Sequence, residues 1–179
     1  LSLPEIIAEM QHSLTFLETD IRDVPERHRS IQAVMDSTWA RLSHAEQTIL
    51  MSCSVFRGGF TREALQKITE ATLRQQATLT NKALLKRDPN TGRYGIHELL
   101  RQYAQNQLDN SGHGDDVRDK HVTYYLTWLG NLEDDFKGRR QVAALDEFEA
   151  DIENIRLAWE WGIRTQNYEE VNLAIGSIS

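Results

Sequence analysis

The stretch Ala83–Leu108, ALLKRDPNTGRYGIHELLRQYAQNQL, decides the fold of this chain. Two short runs that suit β-strands, residues 84–87 and 93–96, flank the turn-forming run Asp88–Gly92. Proline presets φ in that run, and asparagine and glycine tolerate positive φ, so the spacing predicts a β-hairpin. At His97 the period changes, and apolar residues then recur at helical spacing. The sequence therefore predicts a hairpin that runs directly into a helix.

Helical patterns precede the hairpin. Ser43 and Glu46 form an S-x-x-E capping box that starts one helix, Thr61 caps a short second helix, and a third covers about residues 71–84. Three helices followed by a hairpin and a further helix predict a winged-helix unit at about residues 31–107. The predicted fold class is mainly α, with a winged helix followed by an antiparallel helical hairpin.

Three parts are predicted along the chain. Residues 1–25 contain the helical pattern of residues 4–17 and a charged linker, and we expect them to end a helical domain of a longer protein. Residues 26–112 form the winged-helix domain. Residues 113–179 are purely helical, and two apolar stripes predict a pair of long helices that opens a tetratricopeptide-like array. The stripes are Val117, His121, Tyr124, Tyr125, Trp128, Leu132 and Phe136, and Leu145, Phe148, Ile152, Ile155 and Trp159.

Charge, hydrophobic content and cysteine count limit what kind of protein this chain can be. The net charge of −7 is unevenly spread, with −4 in residues 1–28, +4 in residues 29–112 and −7 in residues 113–179. Hydrophobic residues make up 40% of the chain, which is enough for a core, but the apolar runs are too short to span a membrane. Cys53 is the single cysteine, so no internal disulfide forms, and we expect a cytoplasmic protein.

Catalytic and metal-binding patterns are missing from the sequence. No G-x-x-x-x-G-K-[ST] phosphate loop, H-E-x-x-H pair or G-x-S-x-G elbow occurs. His113, Asp115 and Asp116 cluster in a polar turn, which is more typical of a solvated loop than of a metal site. We therefore predict no catalytic residues, no metal site and no cofactor held by this chain alone.

The predicted winged helix raises DNA binding as one possibility. Arg74, Thr78, Asn81 and Lys82 share a face of the helix before the hairpin and include side chains that read base edges. The hairpin adds three cations that suit phosphate contacts, Lys86, Arg87 and Arg93. The modest charge of the middle third and its acidic flanks argue against tight binding, so at this point we expect DNA to be an unfavourable partner.

Two segments resemble a known protein family. The run PERHRSIQAVMDSTWARLSHAEQTILMSCSVFRGGFTREAL, residues 25–65, and IHELLRQYAQNQL, residues 96–108, are similar to bacterial STAND-type regulatory ATPases of the NB-ARC-like group. The run DEFEADIENIRLAWEWGI, residues 146–163, resembles the segment that leads into their tetratricopeptide-like sensor repeats. The resemblance implies a non-catalytic regulatory section of a signal-transduction ATPase and transcriptional regulator.

The resemblance also implies a role for His97. In that family a Met-His-Asp-type motif on the winged helix contacts the β-phosphate of bound ADP and clamps the resting state. The matching positions here are Ile96, His97 and Glu98, so the histidine is kept while both neighbours differ. The implied ligands, ADP and ATP, bind the full-length protein, and the implied partners are its N-terminal ATPase core and C-terminal sensor repeats.

Other interpretations remain open from the residues alone. An imidazole at a helix start can simply satisfy backbone groups, which gives His97 a purely structural role. The winged helix suits a DNA-binding transcription factor module. The two apolar stripes also suit a helical scaffold that docks a protein ligand, although two stripes that face each other explain the same pattern.

Overall fold

The computed structural model describes residues 33–167 and 170–171. Helical residues 33–40 come first, followed by α1 (His44–Cys53). The Ser43 side chain accepts a hydrogen bond from the Glu46 backbone, and the Glu46 carboxylate accepts one from the Ser43 backbone. This reciprocal pair is the predicted capping box, which satisfies two backbone N–H groups at the helix start.

The next two helices, α2 (Arg62–Thr69) and α3 (Leu73–Asn81), begin at the threonine caps Thr61 and Thr72. Helix α3 is shorter at both ends than the predicted 71–84. Thr72 caps its start, and Ala83, at φ 56°, takes the chain out of the helix after its last turn. A left-handed residue cannot continue an α-helix, so the chain turns there toward the hairpin.

The hairpin forms as predicted from the turn residues. Strands β1 (Lys86–Arg87) and β2 (Tyr94–Gly95) pair antiparallel, with Lys86 opposite Gly95 and Arg87 opposite Tyr94. Phe60 adds an isolated bridge to Tyr94, which fastens the hairpin to the segment between α1 and α2. Three helices, this bridge and the hairpin confirm the winged helix, and β1–β2 is its wing.

The remaining helices are α4 (Glu98–Ser111), α5 (Gly114–Asn131), the short α6 (Glu133–Phe136) and α7 (Gln141–Arg164). His97 is the N-cap of α4, and Gly112 ends α4 in the left-handed conformation. Contacts of α7 with α5 and α6 run in opposite order along the chain, from Trp161–Asp119 on α5 to Phe148–Phe136 on α6, near the connecting turn. The predicted antiparallel helical hairpin is thus confirmed.

The apolar stripes are only partly confirmed. On α5, Val122, Leu126 and Leu129 are buried in addition to most of the predicted stripe, because α5 packs against both α2 and α7. On α7, Leu145 and Ile152 are 51% and 41% exposed, so their assignment to the buried face is wrong. Small and polar residues make up most of the buried face of α7, and Gly162 lies close to Val122 of α5. The buried residues of α7 are Ala144, Asp151, Asn154, Ile155, Ala158 and Gly162.

Buried apolar side chains form one cluster that extends from Met35 to Val171 and crosses the predicted boundary at residue 112. At this crossing Phe56 stacks on Phe60, with ring centroids 4.1 Å apart, and meets the edge of Tyr125. Within the described ranges no helix is long and apolar enough to cross a membrane. The prediction of a helix at residues 4–17 concerns residues outside those ranges.

Candidate nucleic-acid interface

The outer face of α3 is open to solvent. Arg74 and Asn81 are exposed, and so is Leu73 at the start of the helix. Thr78 is half-buried, and its hydroxyl donates a hydrogen bond to the Arg74 carbonyl within the helix. The opposite face anchors the helix through buried Gln76 and Leu79. The predicted base-reading side chains Arg74 and Asn81 therefore point away from the core.

Lys82 differs from the other predicted contacts on this helix. Its ammonium group donates to the Glu46 carboxylate across a 2.5 Å distance, which ties the end of α3 to the start of α1. That hydrogen bond lowers the pKa of Glu46. Burial acts in the opposite direction but does not cancel the decrease. Lys82 is thus already paired within the fold, although its side chain remains 41% exposed.

The tip of the wing presents two more of the predicted cations. Lys86 and Arg87 are exposed on β1, and Arg87 Nε lies 3.4 Å from the Gly92 carbonyl across the hairpin. The nearby Asp88 carboxylate accepts hydrogen bonds from the backbone of Asn90 and Thr91, and these bonds lower its pKa. The carboxylate of Asp88 is therefore directed into the turn.

Arg93 is held at the base of the wing. Its guanidinium makes a two-pronged ion pair with Asp151 on α7, at 2.9 and 2.7 Å, and donates to the Gly59 carbonyl at 2.7 Å. Burial lowers the pKa of Arg93, but the hydrogen bonds to Asp151 and the charge of Asp151 together outweigh it and leave that pKa raised. The side chain is only 18% exposed, so Arg93 joins the wing to α7 and is not presented with Lys86 and Arg87.

Asp151 and Asn154 form the other half of this junction, and sequence reasoning missed both. Asp151 also accepts from the Tyr125 hydroxyl at 3.1 Å and from Asn154 at 2.9 Å. Asn154 in turn accepts from the Arg57 backbone at 2.8 Å and donates to the Gly59 carbonyl at 3.1 Å. The one available signal was a pair of polar residues three positions apart on α7, and the apolar spacing of that helix did not place them on its buried face.

The predicted nucleotide-sensing pair lies at the other end of the hairpin. His97 Nδ1 accepts from the Leu99 backbone at 3.3 Å, and since that nitrogen is the acceptor, a neutral ring carries its proton on Nε2. The ring is half-buried, and burial lowers the pKa of His97. It is neither enclosed by the core nor fully exposed.

Glu98 forms an ion pair within its own helix. Its carboxylate pairs with buried Arg101 at 2.6 Å, and the hydrogen bonds from Arg101 lower the pKa of Glu98 to about 2. Arg101 also donates to the Ser54 carbonyl and to Gln105. Glu98 is therefore placed to hold Arg101 in position, one residue away from the imidazole.

Comparison with known proteins gives a distant likeness. No family model matches the chain, and no solved structure does. The chain is 29% identical over 168 residues to "Putative HTH-type transcriptional regulator Mb0914c" of Mycobacterium bovis, and equally to "Putative HTH-type transcriptional regulator Rv0890c" of Mycobacterium tuberculosis. Each alignment covers 88% of this chain but 19% of the relative, so the chain spans about a fifth of the length of these relatives.

Proposed function

We propose that this chain is the winged-helix module of a transcriptional regulator and that α3 and the wing tip bind DNA. The observation that carries the proposal is the open outer face of α3, where Arg74 and Asn81 are exposed, together with the exposed cations Lys86 and Arg87 of the wing. The names of the mycobacterial relatives, which describe helix-turn-helix regulators, support the same class. The charge of the sequence alone predicted DNA to be an unfavourable partner, and this proposal departs from that prediction.

Recognition by α3 follows from its place in the fold. In a helix-turn-helix the second helix of the pair enters the major groove, and α3 follows α2 in that position. An arginine at this surface pairs with guanine and an asparagine with adenine, which are the chemistries of Arg74 and Asn81. The wing then lies beside the groove, where Lys86 and Arg87 contact phosphates.

The charge available for DNA is smaller than the sequence suggests. Residues 72–95 hold five basic residues and one acidic residue, a net charge of +4. Lys82 and Arg93 are paired with Glu46 and Asp151, so three cations remain for phosphates. Three phosphate contacts give a slope of about −3 when the logarithm of the affinity is plotted against that of the salt concentration.

Fluorescence anisotropy with a short mixed-sequence duplex at low salt tests this proposal. We expect Arg74→Gln to weaken binding by about 1–3 kcal/mol. Arg139→Gln is the matched control, because it removes the same charge from an exposed position between α6 and α7. Absence of salt-sensitive binding, or equal losses in the two variants, contradicts the proposal.

A second function is proposed for the full-length protein, in which the winged helix clamps an ADP-bound ATPase core. His97 supports it, because a half-buried ring at the N-terminus of α4 sits where the helix dipole favours an anion. The exposed Val142, Leu145 and Ile152 on α7 offer a face for the next helix of a sensor array. In this proposal ADP shifts the population toward the closed arrangement, and signal or ATP releases it.

Nucleotide retention by the full-length protein tests the clamp. We expect His97→Ala to lose bound ADP faster and to raise basal activity, whereas His113→Ala, which changes an exposed histidine at the next helix junction, retains ADP. Equal retention by His97→Ala and the unchanged protein counts against the clamp and leaves the DNA proposal unaffected.

A further inference from the structure

A cavity of about 360 Å³ lies between the winged helix and the helical hairpin. The winged-helix side contributes residues from the end of α1 and the segment after it, together with Gln105 of α4. The other side is built by α5 and α7. A volume of this size falls within the range of sites that hold small organic ligands.

Three guanidinium groups line this cavity: Arg57, Arg118 and Arg164. Among the described residues, the one carboxylate in its lining belongs to Glu160, which already pairs with Arg156 at 2.8 Å. Arg118 is paired with Asp109 and, at 3.5 Å, with Asp115. Within the part of the chain that the structure describes, Arg57 and Arg164 have no carboxylate partner, and these two cations favour an anion in the cavity.

Arg57 carries much of this uncompensated charge. Its guanidinium donates to the carbonyls of Ser54 and Phe56, at 3.3 and 3.2 Å, and to Gln105 at 3.5 Å. None of these partners is charged, and among the described residues no carboxylate pairs with it. Burial lowers the pKa of Arg57, and the charge of Arg101 adds to that effect. A bound anion relieves both costs.

His121 adds an uncompensated polar group at the cavity wall. The residue is only 4% exposed, lies on the wall of the cavity, and its Nε2 atom lacks a hydrogen-bond partner among the described residues. Buried polar atoms are nearly always paired, and leaving one unpaired costs about 1–3 kcal/mol. That nitrogen is itself buried, so the imidazole contributes to the polarity of the wall and is not assigned as a ligand contact.

The wall also includes apolar side chains. Two of the cations lie over the Trp161 ring, with the guanidinium carbons of Arg164 and Arg118 at 4.2 and 4.9 Å from its ring centroid. Leu157 and Val55 add aliphatic surface to the cavity. Aliphatic surface beside guanidinium groups suits an organic anion with an apolar body.

We propose that this cavity binds a small organic anion, a phosphate or carboxylate group on an apolar body, with Arg57 and Arg164 around the anionic group and Leu157 and Val55 against the apolar body. Such a ligand contacts both the winged helix and the helical hairpin, so its binding stabilises their observed arrangement. The inference goes beyond DNA binding and nucleotide clamping and rests on neither.

Calorimetry and NMR on the complete chain test the site. The probes are phenyl phosphate and benzoate, with phenol as the uncharged analogue, all at matched ionic strength. The indole N–H of Trp161, which donates to Asp119 at 2.8 Å, is the local reporter and is assigned with Trp161→Phe. We expect one or both anions to bind and to shift this resonance, and phenol to do neither; preference between the two anions identifies the acidic group.

Variants at the cavity sharpen the result. Arg57→Gln and Arg164→Gln should each weaken binding of the preferred anion by about 10-fold or more, the size expected for a lost charge-assisted hydrogen bond. Arg62→Gln, an exposed arginine outside the cavity, should bind normally. Absence of binding by both anions to the unaltered chain overturns the proposal, and so does phenol binding as tightly as the anions. The first of these outcomes requires no variant to fold.

Discussion

Arg87 and Arg93 lie on the two sides of one hairpin, yet their surroundings are opposite. Arg87 is exposed at the wing tip. Arg93 is held at the base of the wing by Asp151, a residue 58 positions further along the chain. The sequence assigned both to the same role, as phosphate contacts. Their difference shows that residue type specifies what a side chain can bind, whereas tertiary pairing decides whether it is available.

The same contrast extends to the two faces of the winged helix. The face formed by α3 and the wing tip carries cations that project into solvent. The face toward α7 is sealed by the hydrogen bonds of Asp151 and Asn154 and by the stacked rings of Phe56 and Phe60. We therefore expect substitutions at the Asp151 and Asn154 junction to change stability, and those on the open face of α3 to change DNA binding.

Asp151→Asn should give the largest loss of stability. The change keeps the shape of the side chain but removes the charge opposite Arg93, which leaves a mostly buried cation without its partner. Removing one partner of a buried ion pair typically lowers the free energy of unfolding by about 3–5 kcal/mol. Urea denaturation followed by circular dichroism measures the change.

Glu153→Gln is the control for that measurement. Glu153 pairs with Arg156 at 2.7 Å on the exposed side of α7, and both side chains are more than half exposed. Surface pairs contribute about 0–1 kcal/mol. Similar losses in Asp151→Asn and Glu153→Gln are incompatible with a sealed junction at Asp151.

Acid should destabilise the sealed face through His121. Burial lowers the pKa of His121 from 6.5 to about 4, so between these values the unfolded chain binds a proton that the folded chain does not. Stability from this group is complete above pH 6.5 and is lost as the pH falls toward 4; between pH 7 and pH 5 the loss is about 2 kcal/mol.

His121→Phe isolates this contribution, because a phenyl ring can occupy the space between Phe56 and Tyr125 without titrating. We expect the difference in unfolding free energy between pH 7 and pH 5 to shrink by about 2 kcal/mol in this variant. The charged groups that act on His121 are Asp151 and Arg57. An unaltered pH dependence excludes His121 as the source.

Local features of the fold were predictable from the sequence because their determinants are neighbours in the chain. The Ser43–Glu46 capping box, the turn at residues 88–92 and the cap at His97 all depend on residues within a few positions. Their interactions close small rings that few other conformations satisfy. For this reason the winged helix could be predicted, and so could the position of the exposed helix α3.

Features that depend on distant pairing were not predictable. Apolar spacing placed Leu145 and Ile152 on the buried face of α7, but that face is set by the small residues Ala158 and Gly162 and by polar Asp151. A hydrophobic period cannot reveal that a carboxylate is buried opposite an arginine. Of the predicted DNA contacts, the sequence therefore could not separate Arg93 from the exposed cations.

Lys82 lies between the two extremes and gives the smallest expected effect. It is paired with Glu46, but its side chain is 41% exposed, so solvent screens the pair. Lys82→Gln should lower the free energy of unfolding by less than about 1 kcal/mol. If the pair with Glu46 holds Lys82 away from DNA, the variant keeps most of the affinity that Arg74→Gln loses. Anisotropy measures the DNA affinity of the two variants, and urea denaturation measures their free energy of unfolding. If Lys82→Gln loses as much affinity as Arg74→Gln, Lys82 contacts DNA like the residues of the open face, because its ion pair with Glu46 is then replaced by a contact with a phosphate.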